Sequence, residues 1–243
     1  MRAPIAFASL AFALLAGRTA HAQNSWPMFH AVLATQHPLP CSESVHDEQS
    51  HRDETFTMTF DARGHVLTRT ARVAGAAALR STTYHYDAQG RDASEEYRDG
   101  DEVQQISFTF DAQGRPLTRT VIAPHQRLLL RLSYDALGHL VRTDYDYDMN
   151  NTVDLVESMV WDGEHPVSFE QRLGDRVQYT ERYFYDAHGR LDHMDRDLAA
   201  NGSVDLRRSY VYDARGRLTR EQNDRNANGS TDEVRTYRYD CRR

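Results

Sequence analysis

Tyr212-Asp213-Ala214-Arg215-Gly216-Arg217-Leu218-Thr219-Arg220 is one copy of a phrase that recurs along most of this chain. Aromatic-Asp pairs begin at Phe60, Tyr86, Phe110, Tyr134, Trp161, Tyr185, Tyr212 and Tyr239, at steps of 26, 24, 24, 27, 24, 27 and 27 residues. A steady period in this range marks a repeat architecture. The Asp-Ala-x-Gly core reads as a turn, because Asp bonds backbone N–H groups further on and Gly supplies a positive φ. Between extended runs it predicts a β-hairpin with a type I turn closed by a Gly bulge. Rings two residues apart, as in Tyr84/Tyr86, Phe108/Phe110 and Tyr210/Tyr212, fall on one sheet face. Six residues past the aromatic stand Val66, Leu140, Val167, Leu191 and Leu218, whereas Asp92 and Pro116 break that position. The unit at Trp161 departs from the phrase, with Gly163 early and His165 where Gly should stand.

On this phrase the chain resembles the YD-repeat (RHS-repeat) family, best over residues 60–90, 110–144 and 185–220. The resemblance implies antiparallel strands that wind into a curled or spiral sheet. The expected fold is therefore all-β, a curled or spiral sheet of hairpin repeats forming one domain over residues 54–243.

Residues 1–22 read as an export signal: Arg2, an apolar run from Ile5 to Leu15, then Ala20-His21-Ala22 as the cleavage site. The run is too short for a membrane helix, so no membrane span is expected. A periplasmic or secreted protein of a Gram-negative bacterium follows. Residues 23–53 are expected to form an irregular cap over the first edge strand. In an oxidising compartment Cys41 and Cys241 are expected to pair, flanking the repeats, which stabilises by about 5 kcal/mol in the chain-entropy model. Two free or intermolecular thiols are the alternative. The net charge is −7 and every basic side chain is Arg, which argues against nucleic acid and anionic membranes as partners. Mean hydropathy is −0.72, as suits a sheet with one wet face.

The three 27-residue intervals share an acidic loop in one register. They carry Asp146, Asp148, Asn150, Thr152 and Asp154; Asp197, Asn201, Ser203 and Asp205; and Asp224, Asn226, Asn228, Ser230 and Asp232. This pattern resembles EF-hand calcium loops, where oxygens on alternate residues converge on the ion. Glu157 stands where an EF-hand places its bidentate acid, and Asp195 is positioned to compensate for Ala199. Two readings stay open: calcium as the one cofactor the pattern offers, or a plain turn in which Asp and Asn bond their own backbone. His65, His139 and His188 fall at variable turn positions and are expected in solvent.

Phosphate-binding Gly loops, His-Glu-x-x-His and Gly-x-Ser-x-Gly motifs are absent from the sequence. The expected function is a non-enzymatic repeat protein presenting a β-surface to a protein or a cell-surface glycan. An immunity partner of a secreted toxin is the first alternative, and an envelope glycan-active enzyme the second.

Overall fold

A computed structural model describes residues 42–48, 52–74 and 79–239. The cap before residue 42, the export signal, Cys41 and Cys241 lie outside the described residues. The chain divides into residues 1–39 and a compact unit from residue 40 onward, and the strands belong to the second.

Sixteen antiparallel strands make up that unit: β1 (Ser42–Asp47), β2 (Arg52–Phe60), β3 (Val66–Val73), β4 (Leu79–Tyr86), β5 (Asp92–Asp99), β6 (Glu102–Phe110), β7 (Pro116–Ala123) and β8 (Gln126–Tyr134), then β9 (Leu140–Asp146), β10 (Leu155–Asp162), β11 (His165–Leu173), β12 (Arg176–Tyr185), β13 (Leu191–Asp197), β14 (Leu206–Tyr212), β15 (Leu218–Asp224) and β16 (Glu233–Arg238). Each pairs with its sequence neighbours, and β1 pairs with β16. The all-β hairpin expectation therefore holds, but the sheet is a closed barrel and not a curled or spiral one. β1 lies inside the segment read as an irregular cap. The residues β1 buries, Glu43, Val45 and Asp47, are mostly acids, so hydropathy hides the strand that closes the ring.

The repeated phrase explains how hairpins are built and how they join. In its best copy, Asp213 Oδ1 accepts the N–H groups of Arg215 and Arg217, both at 2.9 Å. Gly216 N–H donates to the Asp213 carbonyl at 2.9 Å, with Gly216 at φ +78. The ladder shifts by one residue between Val211 and Tyr212, and a shift stands before the aromatic of every other hairpin from Phe60 to Tyr185. The bulge turns the aromatic toward the preceding hairpin. Tyr212 donates its hydroxyl to the Leu191 carbonyl at 2.9 Å, and the Arg190 guanidinium lies 4.9 Å from its ring centroid. The same bond recurs at Tyr86, Tyr134, Trp161, Tyr185 and Tyr239. Phe110 has no hydroxyl and keeps only the stacked cation, Arg91 at 4.2 Å. Two of the histidines expected in solvent serve in place of that Arg. His65 stacks on Tyr86 at 4.6 Å and His139 on Trp161 at 4.5 Å; His188 is exposed.

Alternation along each strand sorts the side chains into two faces. The buried face turns inward and carries Phe56, Tyr97, Ile106, Leu130, Met159, Phe169 and Tyr183. It also carries charge: Glu43 accepts from Arg69 at 3.0 Å and from Arg235, Glu54 pairs with Arg80, and Glu181 accepts Arg196 Nε at 2.8 Å. The outer face is hydroxylic and charged, with Thr57, Thr59, Thr68, Thr70, Ser107, Thr109, Thr118 and Thr120 over β2 to β7. Thr59 and Thr68 share a hydrogen bond of 2.7 Å, and Thr109 and Thr118 one of 2.6 Å.

Candidate functional site

The hairpin phrases gather at one rim of the barrel, and the three acidic loops rise from the other. Each loop is built the same way. Asp146 accepts the N–H of Asn150 and of Asn151, both at 2.9 Å. Asp197 accepts Asn201 at 3.0 Å and Gly202 at 2.6 Å, and Asp224 accepts Asn228 at 3.1 Å and Gly229 at 2.6 Å. The closing acids Asp154, Asp205 and Asp232 accept the N–H of Tyr147, Leu198 and Arg225 at 2.7 to 2.8 Å. These bonds hold a backbone that L side chains rarely adopt: Met149, Ala200 and Ala227 have φ +60, +52 and +51. Asn151, at φ +69, stands where the other two loops have Gly202 and Gly229.

The expected calcium ligands fare unequally. Among the described residues, only Asp146, Asp148 and Asp154 bring three carboxylate oxygens within 4.8 Å of one another. A cation there would meet Arg131, whose guanidinium lies 3.3 Å from Asp146 Oδ2 and donates to Asn151 Oδ1 at 3.0 Å. Every expected Asp ligand of the three loops uses an oxygen on a loop N–H, Asp148 on that of Asn150 at 3.2 Å. Asn150, Asn201 and Asn228 each accept an N–H from Thr152, Ser203 and Ser230. The turn is thus complete without a cation, and Arg131 makes the first loop a poor fit for one. Glu157 is not in the loop at all. It points into the barrel, 2% exposed, and accepts from Tyr145 at 2.8 Å and Gln171 at 3.0 Å. Strand alternation decides this: Glu157 is two residues past buried Leu155 on β10. Asp195 pairs with Arg207 at 2.7 Å and completes no site.

Self-capping predicts that these acids stabilise the fold without metal. Asp224→Ala is expected to cost about 1–2 kcal/mol, through N–H groups left unbonded and a strained loop released. Chemical denaturation should give that loss equally with chelator and with millimolar calcium; a loss seen only with calcium would restore the cation reading.

The inner wall holds a second cluster that no sequence motif marks. Asp92 occupies the position that is apolar in five of the other units, and it meets Glu95 on the same strand. Asp92 Oδ1 and Glu95 Oε2 are buried without a hydrogen-bond donor. Burial and then the Glu95 charge push the Asp92 carboxyl up to about 8. Burial likewise raises Glu95, against the opposing pull of Arg119. Two facing carboxyl oxygens with no donor are satisfied by one proton held between them. The broken apolar position in the second unit was the available signal. Glu157 is a milder case, pushed up to about 7 by burial while its bonds to Tyr145 and Gln171 pull the other way.

No family model matches the chain, and no curated protein does. Among solved structures it is similar to a porin-like protein from Bacteroides uniformis, with a TM-score of 0.58 at 12% identity, covering 82% of this chain and 96% of that one. A porin-like protein from Bacteroides vulgatus gives a TM-score of 0.37 at 9% identity over 83% of this chain and 98% of that one. A Tc holotoxin pore from Photorhabdus luminescens gives 0.34 at 14% identity over 76% and 12%. Only the first is close enough to bear on the fold, and at its identity it shows the fold alone.

Closure and this likeness overturn several expectations. A sheet joined to itself has no free edge, and its inner face is occupied by its own side chains. The open surface presented to a protein or glycan therefore falls. The immunity-partner alternative falls with it. The absence of a long apolar run likewise does not exclude a membrane span. No helix among the described residues is long and apolar enough to cross a membrane, but a barrel crosses with short strands.

Proposed function

We propose that this chain is a non-enzymatic barrel of the bacterial envelope, porin-like in architecture, that works as a closed tube. The observation that carries the reading is the pairing of β1 with β16, which completes a ring of sixteen strands. Ion pairs across the inner wall and aromatic-to-carbonyl bonds between hairpins make that ring stiff. Kinship to the YD-repeat family is proposed on the recurring phrase alone.

The outer wall decides how the tube sits in the envelope. A lipid-facing barrel carries an apolar band about 25 Å tall, bounded by aromatic girdles. Here the outward rows of β2 to β7 are mostly Thr, Ser and charged or amide side chains such as Glu96, Arg98 and Gln105, and β12 to β15 turn Arg182, Arg207 and Arg220 outward. An Arg on the lipid face costs about 2–4 kcal/mol at the bilayer midplane. The exposed large apolar residues, such as Val160, Phe184 and Val211, stand singly among these polar rows. The described wall is therefore read as lying against water rather than hydrocarbon. The porin-like likeness favours a second reading, in which the strands cross the outer membrane and conduct.

Flotation with vesicles of outer-membrane lipid separates the two. The expected result is protein left in the aqueous fraction, with no conductance steps in a planar bilayer. Protein that floats with its strands protected from protease, and that conducts, would replace the water-facing wall with the second reading.

A further inference from the structure

We propose that the three long rim loops are acceptor sites for an N-linked glycan. Each loop contains an Asn-x-Ser/Thr triplet: Asn150-Asn151-Thr152, Asn201-Gly202-Ser203 and Asn228-Gly229-Ser230. These are all the triplets of that kind in the sequence, and all nine residues are exposed. Such a triplet on a surface loop of an exported protein is the acceptor signal for N-glycosylation.

The geometry is the same in all three. The N–H of the third residue donates to the Asn side-chain carbonyl, at 2.7 Å in the first loop, 2.9 Å in the second and 2.8 Å in the third. That bond draws electron density from the side-chain amide and eases loss of a proton from Nδ2. No hydrogen bond among the described residues uses Nδ2 of Asn201 or Asn228, while Asn150 Nδ2 donates to Asp148 at 2.9 Å.

The third residue carries the argument furthest. The turn needs only its backbone N–H, which any residue but Pro supplies. No hydrogen bond among the described residues uses the hydroxyl of Thr152, Ser203 or Ser230. The fold leaves these three hydroxyls unexplained, and an acceptor triplet requires them.

In the transfer, Asn Nδ2 attacks the anomeric carbon of a glycosyl pyrophosphate donor. The C–N bond forms as the bond from that carbon to the pyrophosphate oxygen breaks. Pyrophosphate leaves with the electron pair, and the proton lost from Nδ2 passes to a base of the transferase. Donor and transferase belong to the export route, so the inference rests on the envelope reading.

The test is the intact mass of the full chain, recovered from its own cell and from the exported fraction of a host that carries an N-glycan transferase. Expected are species heavier than the polypeptide by up to three glycans, collapsing to one mass after glycosidase. Asn201→Gln and Asn228→Gln each remove one step, and so do Ser203→Ala and Ser230→Ala, with thermal melting unchanged for the Ser variants. Exported chain at the bare polypeptide mass in both sources would overturn the proposal. Chain confined to the cytoplasm of its own cell would instead overturn the envelope reading, and the second host would still decide the acceptor chemistry.

Discussion

Glu43→Ala is expected to lower the unfolding free energy by about 3–5 kcal/mol. Glu43 is 3% exposed on β1, the strand that closes the ring. It accepts from Arg69 on β3 and from Arg235 on β16, so one carboxylate ties both sides of the seam. Burial opposes its charge, but Arg235 and Arg69 overcome this and hold its pKa below the ordinary value. Removing the carboxylate takes the counter-charge of Arg69 out of the wall and leaves Arg235 with Glu221 and Glu233, each at 3.8 Å. An uncompensated buried charge costs far more than the ion pair contributes. The paired control is Ser44→Ala, one residue on and facing outward, expected within about 0.5 kcal/mol of the parent. Urea denaturation of both variants measures the difference. Equal midpoints would mean that the seam does not depend on these charges.

The second large effect is a dependence on pH. In the folded chain Asp92 is pushed up to about 8, by burial and by Glu95. Its ordinary carboxyl value lies near 4 in the unfolded chain. Between these values the fold keeps a proton that the unfolded chain has released. Stability is thus complete below the unfolded value and declines as pH rises through about 8. Tyr84 and Tyr86 face the pair from β4 and Arg119 from β7, while β6 turns Ile106 and Phe108 inward, so nothing else titrates there in that window. Allowing for the partial exposure of Asp92, the expected loss between pH 5 and pH 9 is on the order of 2 kcal/mol. Asp92→Leu, which restores the apolar residue of the sister units, should remove the decline above pH 7 and raise stability at pH 9, leaving below it the smaller decline that Glu157, pushed up to about 7, contributes. A parent curve already flat over this range would refute the shared proton. The turn acids act elsewhere: Asp186, held at about 2 chiefly by Arg190, loses its contribution only in strong acid.

Local structure was legible in the sequence because it repeats. The Asp-Ala-x-Gly turns with their Gly at positive φ and the antiparallel pairing follow from short-range chemistry stated many times over. Even the role of the aromatic was half visible, since a ring that keeps one position in seven hairpins has a neighbour to meet. Closure was not legible. It depends on Ser42–Asp47, a run so polar that its inward alternation of Glu43, Val45 and Asp47 looks like loop. The partners that make those acids tolerable lie near residue 235, and no local pattern connects them. The acidic loops left two readings open for a related reason. Oxygens on alternate residues serve a cation or the loop's own N–H groups equally well in sequence, and only the coordinates show the N–H groups taking them. Glu157 was misplaced because EF-hand spacing was applied across a loop-to-strand boundary, where alternation takes over and turns the side chain inward.

A cysteine pair across the seam tests closure most directly. Ser44 and Thr236 stand opposite each other on β1 and β16, and directly opposed residues have Cα atoms about 4.5–5.5 Å apart, within disulfide reach. In a chain with Cys41→Ser and Cys241→Ser, the double variant Ser44→Cys/Thr236→Cys is oxidised and its mobility read without reductant. A closed barrel predicts a rapid intramolecular disulfide in monomeric protein, formed at near full yield. Thiols that stay free, or that link only between molecules, would mean that the two ends of the sheet do not meet.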